Sequence, residues 1–191
     1  MRAVAPGQII QMMLDVVGVL ERTRVPYTVV GGLAASYHGL ERSTKDADAT
    51  VWLSPDSLTQ EELAREFRSA GYQVEMRTGA PDDPIAAVLI LTDSFGNRTD
   101  LLMGVQGMSF EAPARAVTAR LLDREVRIMG AEDFIAMKLF SGGFQDIEDV
   151  RNVLEVSGDK LDIPLLKKLT RRYGASEARK LDALLKKHLP K

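Results

Sequence analysis

The sequence predicts an α/β (α+β) domain: a mixed twisted sheet flanked by helices, running into a C-terminal helical segment. Three observations carry this. Segments of helical period alternate with short apolar or alternating runs bounded by Gly and Pro. The stretch from Val29 to Leu53 reads as strand, glycine pair, short helix, loop and second strand. Charge divides the chain: residues 151–191 hold 11 Lys/Arg against 5 Asp/Glu, and residues 1–150 hold 14 against 22. A basic helical tail thus follows an acidic part. Residues 1–130 are expected to form a core and residues 131–191 a helical segment packed on it.

Ile9, Ile10, Met13, Val16, Val17 and Leu20 recur at helical spacing and predict a first helix over 6–23. Tyr27 to Val30 is the first strand, and Gly31 and Gly32 follow it. Glycine takes positive φ and lets a phosphate approach the backbone closely. A helix starting at Gly32 or Leu33 would aim its unpaired N–H groups at an anion. A second strand is expected over 46–53 and a helix over 58–70, ended by Gly71. A short strand over 72–76 comes next. Strands over 86–91 and 98–103 join through Ser94-Phe95-Gly96-Asn97 as a hairpin. A helix is predicted over 110–122, a strand over 126–129, and helices over 131–154, 162–173 and 176–189.

Successive strand residues alternate faces, so Asp46 and Asp48 point one way while Ala47, Ala49, Val51 and Leu53 supply a core face. Neighbouring carboxylates repel, and a hard divalent cation such as Mg²⁺ is the usual remedy. Asp100 shares a strand face with Arg98 and Leu102. Asp is poor strand material, which invites a functional reading.

The pattern Val30-Gly31-Gly32, a spacer of 13 residues, then Asp46-Ala47-Asp48-Ala49 resembles the signature of the nucleotidyltransferase superfamily, the polymerase-beta-like fold. The run Arg42-Ser43-Thr44-Lys45-Asp46-Ala47-Asp48 is similar to the Arg-x-Thr-x-Asp-x-Asp of small bacterial nucleotidyltransferases, including abortive-infection type toxins of toxin–antitoxin pairs. Thr99-Asp100-Leu101, 52 residues past Asp48, matches the family's third carboxylate, thought to act as general base. The resemblance implies two Mg²⁺ ions, arriving with an NTP and held by Asp46, Asp48 and Asp100. It also implies nucleotide contacts from Gly31, Gly32, Arg42, Thr44 and Lys138. Asp146 and Asp149 match a closing Asp-x-x-Asp. Where the family often has Gly-Arg-Pro-Lys-Asp, this chain has Gly142-Gly143-Phe144-Gln145-Asp146, so two basic residues are missing.

The implied activity is transfer of NMP from an NTP to a hydroxyl of tRNA or other RNA, a protein, or a small molecule such as an aminoglycoside. A toxin role with a cognate antitoxin is part of the same expectation. Lys167, Lys168, Arg171 and Arg172 share one helix face, and Arg179, Lys180, Lys186 and Lys187 another; both suit phosphate-backbone contact. Two other readings compete. The missing basic residues suit a catalytically weak nucleotide- or partner-binding module, and clustered aspartates suit a metal-dependent phosphodiesterase or nuclease. The absence of cysteine removes disulfides, thiolate zinc sites and cysteine nucleophiles, and fits a reducing cytoplasm. The apolar run Ile9 to Leu20 is interrupted by Gln11 and Asp15. It is too polar for a signal-peptide core and too short to span a bilayer, so no membrane association is expected.

Overall fold

The computed structural model describes residues 3–40, 47–54 and 56–189. Among these residues seven strands form one mixed sheet in the order β3-β4-β5-β2-β1-β7-β6. Their ranges are β1 Tyr27–Val30, β2 Ala47–Val51, β3 Gln73–Thr78, β4 Ile85–Thr92, β5 Arg98–Val105, β6 Val117–Leu121 and β7 Arg124–Ile128. β2 runs parallel to β5, and β1 parallel to β7; the other neighbours are antiparallel.

The period-two pattern of β2 becomes a core. Ala47, Ala49 and Val51 lie beside Thr99, Leu101 and Met103 of β5, and all six are buried. One apolar row crosses the whole sheet: Met76, Leu89, Leu101, Ala49, Val29, Ile128 and Val117. Helix α1 (Ile9–Arg22) packs against β2, β5 and β7. Its Met12, Met13, Val16, Val17 and Leu20 have no exposed surface. Helix α3 (Gln60–Ser69) packs beside α1 and β3. It opens with a reciprocal capping box, Thr59 accepting from the Glu62 N–H while Glu62 accepts from the Thr59 N–H.

The helix predicted over 110–122 is not formed. Only one turn, α4 (Ala112–Arg115), is helical, and β6 follows. Val117, Ala119 and Leu121 alternate with exposed Thr118 and Arg120, a strand pattern too short to outweigh the helical reading of the longer stretch. The turn from β6 to β7 also lacks glycine; Leu122 itself takes the left-handed conformation, with φ of 54°. Pairing with β7 is what makes this segment a strand.

The C-terminal part holds α5 (Ala131–Ser141), α6 (Phe144–Ser157), α7 (Ile163–Tyr173) and α8 (Ala175–His188). Helix α5 packs against the other three. It ends at Gly142, whose φ of 66° is the left-handed C-terminal conformation glycine favours. Arg115 joins α4 to α5 by a two-bonded ion pair with Asp133, at 2.7 and 2.8 Å. No helix among the described residues is long and apolar enough to cross a membrane.

Candidate active site

The site is built where β1, β2 and β5 lie side by side. Asp48 is in register with Val30 on β1 and with Asp100 on β5. Neighbouring strands are about 4.8 Å apart, so two carboxylates stand on one face of adjacent strands. Gly31 follows Val30 and opens α2 (Gly31–Tyr37) with φ of +62°. A Cβ on Gly31 would lie 2.2 Å from Asp48 Oδ2 and 3.2 Å from Asp48 Cβ. Both the backbone angle and the available space therefore require glycine here. The first glycine of the pair keeps the chain clear of a carboxylate.

Asp100 is held by Arg98, two residues earlier on the same strand face. Arg98 Nε donates to Oδ1 and Nη2 to Oδ2, each at 2.7 Å. The Arg98 side chain is 46% exposed and that of Asp100 17%. The row continues outward through Ile90 to Glu75 at the sheet edge. The Arg77 hydrogen bond and charge hold the Glu75 carboxyl below the usual carboxylate range, with a smaller contribution from the charge of Arg98.

The β4–β5 turn sets the position of Arg98. Buried Asp93 accepts from the N–H groups of Phe95 and Asn97 at 2.8 and 2.9 Å, and from Asn97 Nδ2 at 2.7 Å. Asn97 in turn binds the N-terminal segment, donating to the Ala5 carbonyl and accepting from the Gln8 N–H. The residue before Arg98 is thus fixed from both sides.

The structure brings Gly31, Asp48 and Asp100 together. Gly32 is buried within α2, where its carbonyl accepts from Ser36 Oγ at 3.0 Å. Arg42, Thr44 and Asp46 lie outside the described residues. Lys138 is engaged elsewhere: its Nζ lies 2.6 Å from Asp146 and 2.9 Å from Asp149, and 5.6 Å from the centre of the Phe134 ring. Phe134 leads to the ring of His38, the residue after α2, not to Gly31 at its start. His38 Nε2–H donates to the Met129 carbonyl at 2.8 Å. Burial lowers the His38 pKa from its ordinary value, against smaller opposing effects of that hydrogen bond and of Glu132.

Arg98 shares a strand face with Asp100 in the sequence, and only the structure gives it a task there. The Arg-x-Asp spacing was the available signal, since residues i and i+2 share a strand face. A cleft of about 810 Å³ lined by Pro26, Trp52, Leu58 and Phe110 was also not foreseen. It lies by the start of β1 and the end of β2, the opposite end of these strands from Asp48.

Among the described residues no three carboxylate or histidine side chains converge as a metal-binding group. Asp48 and Asp100 nevertheless supply hard oxygen donors in register, with a glycine where a Cβ would intrude. That donor set fits Mg²⁺.

Solved structures similar to this chain include nucleotidyltransferases. ANT(2″)-Ia in complex with adenylyl-2″-tobramycin superposes with a TM-score of 0.62 at 15% identity, covering 86% of this chain and 98% of that one. An antigenic nucleotidyltransferase-like protein from Paracoccidioides brasiliensis gives 0.53 at 14% identity, over 96% and 95% of the two chains. The lincosamide antibiotic adenylyltransferase LnuA, lincomycin-bound, gives 0.51 at 14% identity, over 80% and 99%. These likenesses establish the nucleotidyltransferase fold for this chain. No protein-family model and no curated protein sequence matches it.

Proposed function

We propose that the chain is an Mg²⁺-dependent nucleotidyltransferase that moves NMP from an NTP to a hydroxyl acceptor. One observation carries the reading: Asp48 sits in register with Asp100 and packs against the backbone of Gly31. Carboxylates and a phosphate-compatible turn are thereby adjacent, which the likeness of fold alone does not require.

Asp48 and Asp100, with Asp46 by resemblance, would hold Mg²⁺. When bound, Mg²⁺ neutralises triphosphate charge and stabilises the attacking and leaving oxygens. The N-cap residue Val30 makes no side-chain bond to α2, and the N–H groups after Gly31 are placed to hold phosphate oxygens. Asp100 would accept the proton of the acceptor hydroxyl. That oxygen then bonds to the α-phosphorus, the bond to the bridging oxygen breaks, and pyrophosphate leaves with the electron pair. Arg42 and Thr44 remain nucleotide contacts by resemblance. Lys138 would contribute through its place in the helical segment, since Asp146 and Asp149 engage its ammonium.

RNA, tRNA in particular, is the first acceptor reading, with a toxin role in the cytoplasm and a cognate antitoxin as partner. Its support is the exposed cations Lys168, Arg171, Arg179, Lys186 and Lys187 on α7 and α8. That surface is partly neutralised: Lys167 pairs with Asp182, Lys180 with Glu177, and Arg172 donates to the Gly107 carbonyl. The second reading is a hydroxyl on an antibiotic-like small molecule, supported by the likeness to ANT(2″)-Ia and LnuA.

The test is incubation with each α-labelled NTP and Mg²⁺, offering cellular RNA, protein extract and aminoglycosides in separate arms. Wild type is compared with Asp48→Asn. Label moving to one acceptor class with wild type alone supports transfer and names the class. A folded protein that moves label in no arm favours the binding-module reading. An RNA acceptor also requires binding that weakens steeply with salt.

A further inference from the structure

We propose that Arg98 is a resident counter-charge that keeps Asp100 closed to a divalent cation until nucleotide draws the guanidinium away. This deepens the transferase reading and rests on it.

Asp48 and Asp100 occupy neighbouring strands in register, and two such carboxylates without a cation raise each other's energy. In this structure Arg98 supplies positive charge at Asp100, and it does so through both carboxylate oxygens at 2.7 Å. A planar guanidinium bound side-on takes the two oxygens that a cation would use. Arg98 and a divalent cation are therefore competitors for one carboxylate.

The competition can be resolved because the guanidinium itself faces solvent. With 46% of its side chain in water, Arg98 has room to rotate, while Asp100, 17% exposed, stays fixed on the sheet face. Phosphate is the other group whose geometry a guanidinium matches in two-bonded fashion. Glu75 lies two strands outward in the same row, and its carboxyl already senses the charge of Arg98. A displaced Arg98 thus has the triphosphate or Glu75 to move towards. The order of events follows: nucleotide releases Asp100, and the cation site is completed in the same step. Arg98 is a positioning residue, acting through Asp100.

The experiment measures Mn²⁺ binding by loss of the free-ion electron paramagnetic resonance signal. Wild type and Arg98→Gln are titrated with and without an α,β-methylene NTP analogue, and thermal melts confirm that both are folded. The analogue chelates Mn²⁺ by itself, so protein-bound Mn²⁺ is read against titrations of the analogue alone; wild type is expected to bind Mn²⁺ weakly without the analogue and at least about tenfold more tightly with it. Arg98→Gln is expected to bind Mn²⁺ without nucleotide about five- to tenfold more tightly than wild type, the scale of an exposed ion pair. In Asp100→Asn this gain from Arg98→Gln should vanish. Equal nucleotide-free affinity in wild type and Arg98→Gln overturns the proposal while leaving the transferase reading intact, because wild type still binds Mn²⁺ with the analogue. Absence of Mn²⁺ binding in every arm overturns the transferase reading and the counter-charge with it.

Discussion

The molecule contains the same electrostatic arrangement twice, and burial separates the two. On the sheet, Asp48 and Asp100 lie side by side with Arg98 bound to one of them. In the helical segment, Asp146 and Asp149 flank Lys138. The Lys138 side chain is 9% exposed and that of Asp149 wholly buried, whereas Arg98 is nearly half exposed. A buried cation between carboxylates cannot leave without stranding charge in a poor solvent. A cation that is itself nearly half in solvent keeps much of its hydration as it moves. Lys138 therefore reads as the tie between α5 and α6 across the Gly142 turn, and Arg98 as the solvent-facing partner of Asp100 in the proposed active site. Likeness of residue type does not distinguish these roles; solvent access does.

Removing one charge from each cluster should have opposite consequences. Lys138→Met is expected to cost about 3–5 kcal/mol of stability in urea unfolding, because Asp149 stays buried without its lysine. If it instead weakens nucleotide binding at unchanged stability, the two clusters share a function and the contrast fails. Asp48→Asn is expected to lower turnover about 10³-fold while shifting stability by less than about 1 kcal/mol. A comparable loss of stability in this variant would make the sheet cluster structural as well.

Gly31→Ala should act on the sheet cluster alone, at a smaller scale. Its positive φ costs about 1–2 kcal/mol for a residue with a Cβ, and the new methyl must displace Asp48 Oδ2 from 2.2 Å. Turnover should fall about 10²-fold, as for an ångström-scale misplacement. A crystal structure of the variant should show the Asp48 carboxylate moved. An active variant with Asp48 unmoved would remove the glycine from the site.

The smallest effect concerns the junction of sheet and helices, where His38 bonds to Met129 and its ring meets Phe134. Burial lowers the folded-state pKa of His38, so the unfolded chain takes up the proton first as pH falls. Its contribution to stability is complete above about pH 6.5 and is lost as pH drops below that value. Urea midpoints measured across this range should slope less steeply in His38→Gln. Identical slopes would mean that His38 titrates alike in both states.

Much of the fold was legible. Helix α1, strands β1 and β2, and the β4–β5 hairpin follow from periodicity and turn residues, because those signals are local. The segment at Val117–Leu121 was not, since its strand state comes from pairing with β7 and its turn lacks a glycine signal. The pairing of Asp48 with Asp100 was readable only through resemblance. Strand order is a long-range property, and the residues between them encode no register. Lys138 illustrates the opposite failure: its position on a helix was readable, but its two carboxylate partners depend on how α6 folds back after Gly142.

The sequence by itself determined which residue types are available to the site: a glycine pair, closely spaced aspartates, and an arginine two residues before a strand aspartate. Tertiary structure decided which of them meet. It set Asp48 between Val30 and Asp100, closed Arg98 onto Asp100, and buried Lys138 between Asp146 and Asp149. The physical reason is that composition and period act within a few residues. Strand register and solvent exclusion arise only when distant segments pack, and they decide whether an ion pair is fixed or exchangeable.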